Sequence, residues 1–134
     1  MRVVAVDLGS TRIGVAVSDP SGVLASPYEV VARDARSHDR LRAIVEEVGA
    51  ELVLVGMPLS LDGSKGPAAR AIEAEVAELR ALLPVPVEVH DERFTTVTAH
   101  QQLAASGKRS KARRSTVDQA AAAVLLQSWL DGRG

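Results

Sequence analysis

The chain has 134 residues, of which 46% are apolar, no cysteine, and a formal net charge of −1. A length of this order fits one domain, residues 1–134, with one core. The composition excludes a disulfide scaffold, a thiolate metal centre and a disordered chain, and no apolar run reaches the roughly 18–20 residues that a membrane span needs. The start of the chain lacks a basic stretch followed by a long apolar run and a small-residue cleavage site, so a cytoplasmic protein is expected. Charge is unevenly spread. Residues 93–117 contain no Asp or Glu, yet they hold six of the sixteen Lys and Arg: Arg93, Lys108, Arg109, Lys111, Arg113 and Arg114. One basic segment therefore rides on an acidic body.

In chain order, VVAVDL (3–8) reads as a β-branched strand, and Gly9-Ser10-Thr11 as a turn. Residues 13–18 read as a second strand, closed by the turn signal Asp19-Pro20-Ser21-Gly22. Residues 23–32 form a third strand, in which Pro27 predicts an edge position or an irregularity. Leu41, Ile44, Val45 and Val48 then fall at helical spacing over 38–48, with Gly49 as the C′ glycine. The short apolar run 51–56 suits a buried parallel strand. A loop, 57–66, leads to a helix over 67–83, stopped by Pro84. Residues 85–92 form a fifth strand and 95–106 a helix ended by Gly107. After a basic loop, Ser115 or Thr116 is the expected N-cap of a last helix reaching Leu130.

The order β-β-β-α-β-α-β-α-α predicts an α/β fold: a meander and two crossovers making a five-stranded mixed sheet with helices on both faces. It matches the ribonuclease H-like fold. In such sheets, sites lie beyond the carboxyl ends of the parallel strands. Asp7 falls near one such end, Gly56-Met57-Pro58 at another, Asp91 and Glu92 at a third, and Asp118 in the first turn of the last helix. Converging carboxylates coexist only if one is protonated or a cation sits between them. The three histidines, His38, His90 and His100, show no ligand spacing. An all-oxygen set prefers Mg²⁺ or Mn²⁺, and one or two such ions suit phosphoryl transfer. Asp118 has a plainer alternative, since an acid in a first helical turn also meets the helix dipole.

Four segments, VDLGSTRIGVAVSD, VGMPLSLDGSKGPAA, VHDERFTT and STVDQAAAAVLLQSWL, together resemble the signature segments of the YqgF/RuvX family across essentially the whole chain. That family comprises Holliday-junction resolvase-like proteins with a ribonuclease H-like fold, also described as pre-16S rRNA nucleases. The resemblance implies a catalytic, metal-holding triad at Asp7 in VDLG, Glu92 in DER and Asp118 in TVDQAA. It also implies metal-dependent hydrolysis of phosphodiesters to 5′-phosphate and 3′-hydroxyl ends. The family's loop motif more often has Asn where this chain has Ser60.

Around the triad, Ser10, Thr11, Arg12, Lys65, Arg93 and the run with Lys108, Arg109, Lys111, Arg113 and Arg114 are the candidate nucleic-acid contacts. Their chemistry suits phosphates. Tyr28, Phe94 and Trp129 are the only aromatic residues, so recognition of shape and backbone is expected over base stacking. The expected partner is nucleic acid: an RNA precursor, branched DNA or single-stranded DNA. Symmetric cutting of a junction would call for a two-fold homodimer. Two other classes are weighed. A phosphotransferase of the actin or sugar-kinase type shares the Asp-x-Gly-Ser/Thr loop but needs two such domains. A non-catalytic nucleic-acid or ribosome-maturation binder would tolerate EDTA.

Overall fold

The computed structural model describes residues 1–58, 66–91 and 110–133; within the last segment the side chains described are those of residues 120–132. Its elements are β1 (Val3–Leu8), β2 (Arg12–Ser18), β3 (Ala25–Ala32), α1 (Ser37–Val48), β4 (Leu52–Met57), α2 (Pro67–Leu82), β5 (Val87–Asp91) and α3 (Ser110–Arg133). The five strands form one sheet in the order β3-β2-β1-β4-β5. β1, β2 and β3 pair antiparallel, whereas β1–β4 and β4–β5 pair parallel. This is the mixed sheet expected from the pattern of elements. The helix expected over 95–106 lies outside the described residues.

Local chemistry explains where the boundaries moved. One Asp19 carboxylate oxygen accepts the backbone N–H groups of Val23 and Leu24, both at 2.8 Å. Those two residues are held in the turn, so β3 begins at Ala25 rather than at residue 23. Pro27 lies on the edge strand, and the register skips Tyr28 between the pairs Val15–Glu29 and Ala16–Pro27. Both features follow from a residue that cannot donate to the ladder. α1 ends at Gly49, whose φ of 65° is the left-handed conformation that glycine adopts at low cost.

The last helix departs most from expectation. It starts at Ser110, so neither Ser115 nor Thr116 caps it, and Lys111, Arg113 and Arg114 lie in helix rather than in a loop. The physical reason is propensity: Lys, Ala and Arg are among the better helix formers, and no Gly or Pro interrupts them.

Helices cover both faces of the sheet. Val4, Val6, Leu8, Ile13, Val15, Val53 and Val55 pack with Leu41, Ile44 and Val45 of α1 and Ala69, Ile72, Val76 and Leu79 of α2. On the other face, Val3, Ala5, Ala16, Leu52 and Leu54 pack with Ala122, Leu125, Leu126 and Leu130 of α3. Gln127 fixes the direction of α3. Its side-chain amide accepts from Ala25 N–H at 2.9 Å and donates to Val23 O at 2.9 Å, tying the helix to the β2–β3 hairpin. Trp129 lines a hollow with Met1, Leu52 and Pro86, at the same end of the sheet. The N-terminal half of α3 therefore runs away from that end, toward the carboxyl ends of β1 and β4.

Among the described residues, α3 supplies all the helical side chains of its core cluster, so truncation there should be costly. Leu125 is fully buried, and Leu125→Ala should lower stability by about 2–5 kcal/mol in urea denaturation. Val89→Ala, at a residue 46% exposed, should change it by no more than about 0.5 kcal/mol.

Candidate active site

Pleat alternation decides which face Asp7 serves. Val4, Val6 and Leu8 of β1 belong to the α1/α2 core, and Val3 and Ala5 belong to the α3 core. Asp7, two residues beyond Ala5 on β1, points to the α3 face and is half-buried. Its cross-strand partner on β2 is Gly14. On the other side Val6 pairs with Val55 of β4, so Gly56 is the next β4 neighbour of Asp7. Both flanking positions lack a side chain, which leaves room beside the carboxylate. A hard oxygen donor with that space fits Mg²⁺ or Mn²⁺, ions that keep several waters. Among the described residues no three of His, Cys, Asp or Glu gather into a ready cluster.

β5 extends the same reasoning. Val87 pairs with Val53 and belongs to the α1/α2 core. Asp91, four residues on and paired with Met57, shares that face and is turned from the side Asp7 occupies. His90 pairs with Gly56 and stands on the α3 face with Asp7. Sequence spacing left His90 without a role; strand register is the only signal that brings it to this side.

The other candidates divide by location. Ser10 and Thr11 are exposed in the turn that follows Asp7, and Arg12 opens β2 half-buried, opposite Ala32. Lys65, Glu92, Arg93, Lys108 and Arg109 lie outside the described residues. Lys111, Arg113, Arg114 and Asp118 lie on α3, at positions whose side chains are not among those described. Position 118 is eight residues past the helix start at Ser110, not in its first turn. The helix-dipole alternative for Asp118 falls away, because that effect fades within the first turn.

A group of side chains missed by sequence reading supports the turn after Asp7. Arg33 Nε donates to Gly9 O at 2.9 Å, while its two terminal nitrogens donate to the Glu75 carboxylate at 2.5 and 2.8 Å. His38 Nε2 donates to the same carboxylate at 2.6 Å. Burial alone would raise the Glu75 pKa, but the hydrogen bonds from Arg33 and His38 outweigh it and hold the carboxyl below its ordinary value. A cleft of about 480 Å³ between α1 and α2 is lined by these three residues with Asp34, Ser37 and Glu78. It lies on the face away from the Asp7 side chain, and its Arg33, His38 and Glu75 are engaged with one another.

Comparison with known proteins identifies the family and the fold. The RuvX family, described as Holliday junction resolvase, matches residues 1–132. A Streptomyces avermitilis protein named "Putative pre-16S rRNA nuclease" is 52% identical over 133 residues, covering 97% of this chain and 85% of that one. A Rhodococcus erythropolis protein of the same name is 48% identical over 139 residues, covering 98% and 78%. Among solved structures, T. thermophilus RuvC in complex with a Holliday junction substrate superposes with a TM-score of 0.60 at 17% identity, covering 99% of this chain and 95% of that one. The Fowlpox virus resolvase in complex with Holliday junction DNA superposes at 0.59 with 13% identity, covering 99% of each chain. These two likenesses establish the ribonuclease H-like fold.

The Glu75 network has a pH signature. A carboxyl with a lowered folded pKa adds stability above its unfolded pKa, about 4.3, and loses it as pH falls through the folded value. Urea midpoints should therefore place wild type above Glu75→Gln at neutral pH, with the gap closing below about pH 4. A gap that persisted in acid would contradict the ion-pair assignment.

Proposed function

This chain belongs to the RuvX family of Holliday junction resolvases, and on that premise we propose that residues 1–134 act as one metal-dependent nuclease domain on structured nucleic acid. The observation that carries the reading is Asp7, a half-buried carboxylate on the α3 face between Gly14 and Gly56. A carboxylate in that setting is costly unless a cation or donors meet it.

The catalytic and metal-holding set is Asp7, Glu92 and Asp118. Support for Asp118 comes from the helical repeat: position 118 precedes Ala121 and Ala122 by three and four residues, and Leu125 and Leu126 by seven and eight, and all four are buried. Support for Glu92 comes from the face of Asp91, which is opposite that of Asp7 and leaves Glu92 as the next acid in the chain. These residues would hold one or two Mg²⁺ or Mn²⁺ ions. When bound, the metal supplies Lewis-acid stabilisation of phosphoryl oxygens and lowers the pKa of its water. The three carboxylates would hold that cation, and an all-oxygen donor set suits a hard divalent ion. Hydrolysis adds water across the P–O3′ bond and leaves 5′-phosphate and 3′-hydroxyl ends. Ser10, Thr11 and Arg12 border the reacting phosphate from the turn after Asp7. Arg93 offsets charge that develops on it. Lys65, Lys108, Arg109, Lys111, Arg113 and Arg114 hold the flanking backbone, so binding weakens steeply with salt.

The relatives' names favour a 16S rRNA precursor as substrate, with its 5′ end as the proposed point of processing, and the family description favours branched DNA. The proposed place of the reaction is the cytoplasm, where such nucleic acids lie. Separately, no described helix is long and apolar enough to cross a membrane. The test is cleavage of a labelled precursor-rRNA fragment, single-stranded RNA, single-stranded DNA and a four-way junction, each with Mg²⁺, Mn²⁺ or EDTA. Wild type should cut only with metal, and Asp7→Asn should be slower by about 100-fold or more. Cleavage that survived EDTA, or an Asp7→Asn protein as fast as wild type, would overturn the assignment.

A further inference from the structure

Resting on the catalytic reading of Asp7, we propose that Arg33 is a positioning residue for it, acting through the turn that joins β1 to β2. Nothing in the reaction requires Arg33 to touch the nucleic acid. Its contacts instead converge on two residues of that turn, Gly9 and Thr11, and on a carboxylate anchored in α2.

The chain of contacts is continuous. Glu75 fixes the plane of the guanidinium through both terminal nitrogens, and His38 on α1 fixes Glu75 in turn. The remaining donor, Nε, reaches Gly9 O at 2.9 Å, and the Arg33 backbone N–H donates to Thr11 O at 3.2 Å. Gly9 N–H then donates to Asp7 O at 3.0 Å. The turn has little slack: a Cβ on Gly9 would sit 2.5 Å from Arg12 O. Arg33 thus holds both sides of a tight turn whose first hydrogen bond ends on the main chain of Asp7. The side chains of Arg33 and Glu75 are 27% and 13% exposed, so their contacts are partly shielded from water.

The chemistry selects arginine. One planar guanidinium serves a carbonyl and both carboxylate oxygens at once, in fixed relative directions. A lysine ammonium could reach the carboxylate or the carbonyl but would hold no plane between them. Support shells of this kind matter because a site gains from ligands held within a fraction of an ångström.

A purely structural staple between the β3–α1 connection and α2 would share the contacts and differ in its consequences. Arg40 provides the matched control. It bridges Glu29 on β3 and Glu47 on α1, and among the described residues its side chain makes no hydrogen bond to the turn that joins β1 to β2.

The experiment compares wild type, Arg33→Lys, Glu75→Gln and Arg40→Gln in four readouts: thermal midpoint, amide exchange at Gly9, the dissociation constant for Mn²⁺, and kcat and KM on the best substrate. Arg33→Lys and Glu75→Gln should speed exchange at Gly9, weaken Mn²⁺ binding and lower kcat, the last two by about tenfold or more. KM should stay near the wild-type value, because the flanking phosphate contacts are untouched. Arg40→Gln should lower only the thermal midpoint. Should Arg33→Lys fail to fold, Glu75→Gln carries the same test alone. If wild type cuts and binds Mn²⁺ and the Arg33 and Glu75 variants match it in kcat and affinity, the network is a staple and the inference is overturned. If wild type neither cuts nor binds Mn²⁺, the catalytic reading of Asp7 fails first, and this inference with it.

Discussion

The two-residue period of β1 is the constraint on which the rest depends. A strand buried on both faces must offer apolar side chains to each, and β1 does so with Val4, Val6 and Leu8 on one side and Val3 and Ala5 on the other. Asp7 replaces an apolar residue in the second row. A shift of one residue would bury the carboxylate against α1 and α2 and turn Val6 and Leu8 toward α3. Register is therefore held on both sides, by Val17 through Ile13 on β2 and by Leu52 through Val55 on β4. The flanking positions on that face are Gly14 and Gly56, so neither neighbouring strand sets a side chain beside the carboxylate.

The α3 layer follows from the same geometry. Its small residues, Ala121 and Ala122, let it lie close to the sheet, while Leu125, Leu126 and Leu130 fill the far end. Gln127 sets its direction by pairing with the hairpin backbone at Val23 and Ala25. The opposite layer has a different task. α1 and α2 carry the larger core, and through His38 and Glu75 they brace Arg33 against the turn that follows Asp7. On the proposed reading, one face of the sheet presents the chemistry and the other supports it.

Much of this was legible in the sequence because the signals were local. β-branched runs marked the strands, Leu41, Ile44, Val45 and Val48 marked α1, Gly49 ended it, and Pro27 announced an edge with a register shift. The start of α3 was misread because serine and threonine suggested a cap while the stronger helix propensity of Lys111, Ala112, Arg113 and Arg114 carried the helix through them. The role of Arg33 was not legible at all. Its carboxylate partner is 42 residues away and its carbonyl partner 24, and no spacing rule connects them. The face of Asp91 needed strand register too, since a run of adjacent acids carries no sign of which side of the sheet each one takes.

The central claim is that Asp7 and the α3 face form a cation site. Mn²⁺ titrated into ¹⁵N-labelled protein tests it directly, because paramagnetic broadening falls off steeply with distance from the ion. The account predicts that the amides of Asp7, Leu8, Gly14 and Gly56 broaden first, together with those of Glu92 and Asp118, and that Asp7→Asn abolishes the effect. Broadening centred on Asp34, Glu75 and Glu78 in the α1/α2 cleft, or none at any of these positions, would contradict it.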